Sequence, residues 1–550
     1  MKERNKVLVV GLDGATFDIL RPWIEQGKLP ILRKLMENGV SASLTSTIPP
    51  MSSPAWPSFM TGKNPGKIGV FDFVERRPDS YDYTVVSSKS IDGKVLWNIL
   101  SEAGKKVGII NVQVTYPPQE VNGFMISGMP APSVRTHPAS LLDELRKEVG
   151  EYRLRIEEVY GKGREDSFIE DLYRVTDIRE KTTLFLMKKY DWDFFMVMFF
   201  GTEFVQHTFW SYMDHTHPDH DPQKSEKYGN VILEYFQKID DIIGKIIKNT
   251  DENTTLIIMS DHGHGPLHKV LYINRWLMEL GLLNFKRNIL TRIKLWLCKY
   301  NLPVRLYDFS IKLGLGKLRK LVSQRRQTNL VNVFLSFRDV DWLRTKAYSL
   351  GHIGSIFINL KGREPDGIVE PGKDYHKLRT YIIKKLCELR DPETGEKVVD
   401  KVFRKEEVYS GSYVDRAPDI IFLMKDMKYI TEFGSFGFHH DSLFGSPILR
   451  TTGTHRMNGI FIMKGKNVKK NSVVKGAQII DLAPTILYLM GVPIPSDMDG
   501  KVLTDALYPS FVSSNPIRYE KVMKKPKEQF EWSDEEEKEV KERLRGLGYL

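Results

Sequence analysis

Four short, continuous apolar runs punctuate the chain, and each stands against a polar or acidic cluster. Val7 to Val10 precedes Asp13, Phe194 to Phe200 precedes Glu203, Leu256 to Met259 precedes Asp261, and Ile460 to Met463 comes just after His455. Runs of this length, rich in β-branched and aromatic residues, predict strands buried on both faces, and helical patterns separate them. Together they predict an α/β chain with a mostly parallel central sheet flanked by helices. Such sheets bind ligands at the carboxyl ends of their strands, so acids and histidines that follow the runs can converge from distant parts of the chain. The alternation breaks over 281–335, which reads as an inserted helical segment. Over 336–430, strand-like runs at Ser355 to Leu360 and Ile420 to Met424 alternate with a helical Tyr375 to Arg390, which predicts a small cap region. The expected organisation is therefore 1–280 as the first part of the core, the 281–335 insertion, the 336–430 cap, 431–510 as the second part of the core, and 511–550 as a helical tail. Within the tail, Trp532 to Leu550 carries Glu and Lys at i,i+4 spacing, with a Leu face left to pack on the core.

Composition adds exclusions. At 550 residues, 41% hydrophobic and 27% charged, the chain is neither disordered, collagenous nor a small disulfide-stapled domain. Cys298 and Cys387 cannot build a disulfide framework, which points to a reducing cytoplasm. The net charge of +11 is local: Lys286 to Arg326 holds twelve Lys or Arg against the single acid Asp308, so the remainder is balanced. A chain that coats a nucleic-acid duplex would spread its basic excess more widely, and no such partner is expected. Within the basic segment, Ile289, Leu290, Ile293, Trp296, Leu297 and Tyr300 fall at helical spacing among Arg292, Lys294 and Lys299. Two readings stay open: a helix packed on the core, or a peripheral helix on an anionic membrane.

The polar clusters carry candidate chemistry. In Ser260-Asp261-His262-Gly263 a bend at Gly263 would let the Asp and His reach one cation. Glu203 and His207, at i,i+4, share a helix face in the way helices present two ligands to a metal. Asp13 ends the first apolar run, and His455 stands in Gly453-Thr454-His455 before the last. Met51-Ser52-Ser53-Pro54 offers a hydroxyl at a helix start, where an anion is stabilised. His215 with His217, and His439 with His440, read as solvated loops.

The order Asp, Ser, carboxylate with His four residues on, Asp-His-Gly and a late Gly-x-His resembles the alkaline phosphatase superfamily, and within it the type I phosphodiesterase and nucleotide pyrophosphatase branch. Asp481-Leu482-Ala483-Pro484-Thr485, Gly491-Val492-Pro493 and Asp499-Gly500 are similar to the branch's C-terminal signature. The resemblance implies an alkaline-phosphatase-like core and two divalent metal ions. One would be held by Asp13, Asp261, His262 and the oxygen of the nucleophile Ser52, with Ser53 as the alternative; the other by Glu203, His207 and His455. Three histidines with carboxylates favour Zn, with Mn as the alternative. The implied activity is phosphodiester or pyrophosphate hydrolysis through a phospho-seryl enzyme, on a small or lipid-linked phosphoester. A phosphomonoesterase or phosphomutase would use the same ligands, and a non-catalytic metal-stabilised protein that binds membranes or acidic polymers is the third reading.

Glu203 stands where the branch has Asp, and Asp72 is followed by Phe73 instead of the branch's Asn, so the phosphoryl contact must come from elsewhere. Without an Arg after Ser52-Ser53-Pro54-Ala55-Trp56, sulfatase chemistry is not expected. In the cap, Arg344, Asn359 and Arg363 are candidate substrate-binding residues, because guanidinium groups clamp phosphate in pairs of hydrogen bonds. The oligomeric state is not legible.

Overall fold

The four apolar runs lie side by side in one sheet. The structure is a computed structural model that describes residues 5–299 except 159 and 162, then 335–432, 442–447, 451–522 and 530–547. Nine strands run in the order Ser472–Val473, Val40–Thr45, Asn458–Lys464, Thr254–Met259, Lys6–Leu12, Phe194–Phe199, Val107–Ile110, Gly123–Ile126 and Thr136–His137. The sheet is mostly parallel; Asn458–Lys464 and Thr136–His137 run against their neighbours. Phe194–Phe199 is buried at every position and Lys6–Leu12 at all but its first, as expected of strands covered on both faces.

Helices cover the sheet with one apolar face each. In Val231–Ile247 the buried residues Val231, Ile232, Tyr235, Phe236, Ile239, Ile242, Ile243 and Ile246 recur at helical spacing. Asp240, on the same helix, accepts hydrogen bonds from the Ile31 and Leu32 amides at 2.9 and 2.8 Å, serving the free donors at the start of the helix Pro30–Glu37.

Lys6–Leu12 pairs with Phe194–Phe199 on one side and with Thr254–Met259 on the other, so the chain leaves the first strand in both directions. Strand order reverses there, which opens a crevice at the carboxyl edge. Asn458–Lys464 is antiparallel to Thr254–Met259, with Phe461 opposite Met259 and Lys464 opposite Leu256. Its amino end therefore lies at the edge where the parallel strands finish, and His455 arrives there from the other direction.

A second, seven-stranded sheet carries the cap strands Ala347–Tyr348, Ser355–Ile358, Val399–Arg404, Ile420–Met424 and Tyr429–Thr431. It also takes Lys269–Leu271 and Phe444–Gly445 from the flanking parts of the chain. Arg76, on the hairpin Val74–Arg76 and Tyr83–Val85, ties cap to core by donating to Glu364 and to the Tyr348 hydroxyl. The helix Asp534–Leu547 inserts Val540 and Leu544 beside Met51, Phe73, Val85, Ile353 and Met427. The basic insertion is described only to residue 299, and His439 and His440 lie outside the described residues. Among the described residues no helix is long and apolar enough to cross a membrane.

Helix Ser52–Thr61 is buried at every position, and Trp56 packs against Gly11 of the first strand. A Cβ on Gly11 would sit 2.7 Å from the Trp56 ring and 3.2 Å from Met198. We expect Gly11→Ala to destabilise the protein by about 1–3 kcal/mol through overpacking, read as a lower urea midpoint. An unchanged midpoint would contradict direct packing of Trp56 on this strand.

Candidate active site

Each ligand candidate is delivered by the end of a strand. Asp13 directly follows Lys6–Leu12, and Glu203 and His207 lie on Gly201–Met213, the helix that succeeds Phe194–Phe199. Asp261 and His262 follow Thr254–Met259, and His455 belongs to Gly453–Arg456, which pairs with Gly263–Pro266. All except His207 are almost fully buried.

The side chains form two overlapping groups: Asp13, Asp261 and His262, and Glu203, His262 and His455, each with its ligand atoms within 4.8 Å of one another. His262 Nε2 stands 3.2 Å from Asp261 Oδ2 and 3.7 Å from both Asp13 Oδ1 and Glu203 Oε1. Glu203 Oε1 also lies 3.1 Å from His455 Nε2 and 3.4 Å from His207 Nε2. The outer nitrogens of two histidines are held by carbonyls: His207 Nδ1 by Gly453 at 2.7 Å and His455 Nδ1 by Pro50 at 3.1 Å. Both rings thus turn Nε2 inward, the arrangement by which backbone partners orient metal-binding imidazoles.

Ser52 Oγ joins this group, 3.3 Å from Asp13 Oδ1 and 3.1 Å from His262 Nε2. Ser53 Oγ is buried with no hydrogen-bond partner among the described residues and does not enter it. Burial, together with the charges of Asp261 and Glu203, raises the Asp13 carboxyl well above the usual carboxylate range. Burial and the neighbouring His262 push His455 down to about 3, leaving a neutral ring. Clustered buried carboxylates and imidazoles are a donor set for divalent cations, and Asp261 Oδ2 is a buried oxygen that accepts no hydrogen bond among the described residues.

Glycines shape the site by admitting backbone. Gly14 (φ +64°) donates its N–H to Asp261 Oδ1 at 3.2 Å, and a Cβ there would meet His264 Nδ1 at 3.1 Å. Gly263, expected to provide a bend, has no left-handed backbone; a Cβ there would lie 2.1 Å from the Asn458 carbonyl oxygen, so the glycine permits strand contact instead.

Several residues at the site carried no motif. Gln113 donates to Asp13 Oδ2 at 2.5 Å, and Thr202 and Gln206 hold the Asp13 and Gly14 carbonyls at 2.6 and 3.0 Å. Gln113 follows the buried strand Val107–Ile110, the same signal that marked the other strand ends. His264, opposite His455 in register, is fully buried, and neither ring nitrogen has a hydrogen-bond partner among the described residues. His217 is not solvated: it is buried, with Nε2 between the Leu267 and Thr452 carbonyls at 2.8 and 3.0 Å, and it pins the strands that carry His264 and His455.

Glu203, His207 and Gln113 line a cavity of about 570 Å³ whose walls include Phe73, Tyr160, Phe168, Phe200, Phe204, Arg155 and, from the C-terminal helix, Arg543 and Leu544. The cap candidates lie elsewhere. Arg344 is exposed, Asn359 holds the carbonyls of Trp342, Thr345 and Asp366, and Arg363 is engaged by Asp419 and Glu364.

A family model described as Type I phosphodiesterase / nucleotide pyrophosphatase matches residues 7–435. The chain belongs to this family. It is accordingly a hydrolase of phosphoester or phosphoanhydride bonds, in a metal-dependent group within the alkaline phosphatase superfamily. Among solved structures, phosphonoacetate hydrolase from Sinorhizobium meliloti 1021 bound to phosphonoformate is similar in fold, at 14% identity and a TM-score of 0.50 over 88% of this chain and 95% of that one. Human ectonucleotide pyrophosphatase / phosphodiesterase 5 aligns at 14% identity and 0.49 over 91% and 99%, and an inactive murine form in complex with AMP at 15% and 0.48 over 92% and 100%. A search of curated proteins returned no match.

Proposed function

We propose that the chain is a two-metal phosphodiesterase that works by double displacement at Ser52. The observation that carries the reading is the position of Ser52 Oγ, at a buried helix start between Asp13 and His262. In this reading Asp13, Asp261, His262 and Ser52 Oγ hold one cation, and Glu203, His207 and His455 hold the other. The donor chemistry suits Zn, with Mn as the alternative. When bound, the two cations would lower the pKa of the hydroxyl and offset the negative charge that gathers on the phosphoryl group.

Ser52 Oγ loses its proton and attacks phosphorus in line; its bond to phosphorus forms as the bond to the leaving alkoxide breaks, that alkoxide takes up a proton, and a serine phosphodiester that keeps the substrate's other alkyl group results. Water then attacks from the vacated side, the Ser52 oxygen leaves, and the phosphate monoester is released. Gln113, beside Asp13 and on the cavity wall, supplies the amide donor to a phosphoryl oxygen that the residue after Asp72 lacks. The extra methylene of Glu203 lets one carboxylate oxygen reach both His207 and His455.

On this account Ser52→Ala lowers turnover of an aryl phosphodiester by about 10³-fold or more while metal content stays near wild type. Ser53→Ala keeps most activity; if it is the dead variant, the nucleophile is one residue later. Asp261→Asn and His455→Ala each lose one of two metal equivalents by elemental analysis, and two full equivalents in both would overturn the ligand assignment. Running aryl monoesters beside diesters separates a diesterase from a phosphomonoesterase through the ratio of kcat/KM values.

A second reading concerns location. On the helix Ile289–Lys299, Ile289, Leu290, Ile293 and Trp296 are 78%, 64%, 49% and 56% exposed. An outward apolar stripe beside Arg292 favours peripheral contact with an anionic membrane over a helix wholly packed on the core. Co-sedimentation with anionic vesicles should weaken with salt and fall in Leu290→Glu/Trp296→Glu; absence of binding at low salt would refute the contact.

A further inference from the structure

Two guanidinium groups meet on the wall of the active-site cavity. Arg155 Nη1 donates to the Ala131 carbonyl at 3.4 Å, and Arg543 Nη1 donates to that same carbonyl at 3.0 Å and to Pro132 at 2.5 Å. Two cations that share one acceptor repel each other, and both line the cavity that holds Glu203 and His207.

Their partners are unequal. Arg543 is paired with Glu539, one turn back on its helix. Arg155 forms no ion pair among the described residues, and the weak bond to Ala131 is its one side-chain hydrogen bond there, leaving most of its five donors for a ligand. Of the acids on the same cavity, Glu158 pairs with Arg164 and Glu542 is half-buried on the C-terminal helix; Glu157, exposed and 3.9 Å from Arg153, is close enough for its charge to act on both Arg155 and Arg543, without an ion pair to either among the described residues. Burial lowers the pKa of both guanidinium groups, and the nearby Arg155 adds to the effect on Arg543, which falls to about 10. An anion held by both guanidinium groups would thus relieve their mutual repulsion.

The pair is also built rigidly. Arg179, itself buried, holds the Leu154 carbonyl at 3.0 Å, next to Arg155. Trp532 donates to the Val85 carbonyl at 2.8 Å and stacks on Tyr116, and Arg77 bonds Glu537 at 2.6 Å, which anchors the helix that carries Arg543. The wall of the same cavity, which holds both arginines as well as Glu203 and His207, includes the apolar faces of Phe168, Phe200 and Phe204.

We infer that Arg155, reinforced by Arg543 from the C-terminal helix, is an anion subsite that selects phosphoesters carrying a second negatively charged group, a carboxylate or phosphate, beyond an apolar stretch. The inference rests on the diesterase reading for the scissile end. A guanidinium with free paired donors suits either anion, and a contact remote from phosphorus acts on substrate and transition state alike, so its effect falls on KM.

The test uses the metal-loaded full chain and two kinds of probe. Calorimetry compares an alkyl phosphonate with an ω-carboxyalkyl phosphonate of equal length; kinetics compares the two corresponding aryl alkyl phosphodiesters. Wild type should favour the carboxylate-bearing member by roughly tenfold in both, with the kinetic preference in KM. Arg155→Met should bring both ratios to about one, while Arg155→Lys, which keeps the charge, should retain part of them. Ratios near one in wild type, or ratios undiminished in Arg155→Met, would overturn the subsite. If neither diester is turned over while the phosphonate ratio stands and depends on Arg155, the diesterase reading falls and the subsite survives.

Discussion

Three carboxylates, Asp13, Glu203 and Asp261, share one buried pocket with His262 at its centre. Like charges at this density, removed from water, are costly unless cations or protons offset them, and the raised pKa of Asp13 is a direct sign of that cost. The fold tolerates the arrangement because each acid is fixed at the end of a buried strand whose side chains pack on both sheet faces. Membership of a metal-dependent family and the electrostatics of these buried acids therefore point the same way.

Much of this was legible in the chain. Continuous apolar runs announced the central strands, and the rule that chemistry gathers at carboxyl ends located Asp13, Glu203, His207, Asp261 and His262 in advance. His455 obeys the rule in reverse, since it precedes Asn458–Lys464, which runs antiparallel to Thr254–Met259 and begins where the parallel strands finish. Choosing between Ser52 and Ser53 needed the helix start, because adjacent residues on a helix face about 100° apart and only Ser52 Oγ turns toward Asp13 and His262.

What was not legible has a common cause: it depends on contacts between segments that no local pattern encodes. Gly263 reads as a turn residue, yet it is demanded by the Asn458 backbone, nearly 200 positions on. His217 sits in a polar, loop-like stretch and is buried only because two carbonyls from other segments close over it. The arginines of the cap have phosphate-binding chemistry, but Arg363 is engaged by Asp419 and Glu364. The cavity wall instead includes Arg155 and, from the C-terminal helix that was expected to pack its Leu face on the core, Arg543. The cavity-lining arginines were thus harder to find than the clustered acids and histidines, because they are set by tertiary packing and not by position after a strand.

The central claim is that Ser52 carries the phosphoryl group through the reaction. Acid quenching of the metal-loaded chain during turnover of an aryl phosphodiester, followed by digestion and mass spectrometry, tests it most directly. The expected result is a peptide whose Ser52 carries the substrate's alkylphosphoryl group, absent without substrate and absent from Ser52→Ala. Rapid turnover with no such adduct at any quench time, or the adduct on Ser53, would contradict it.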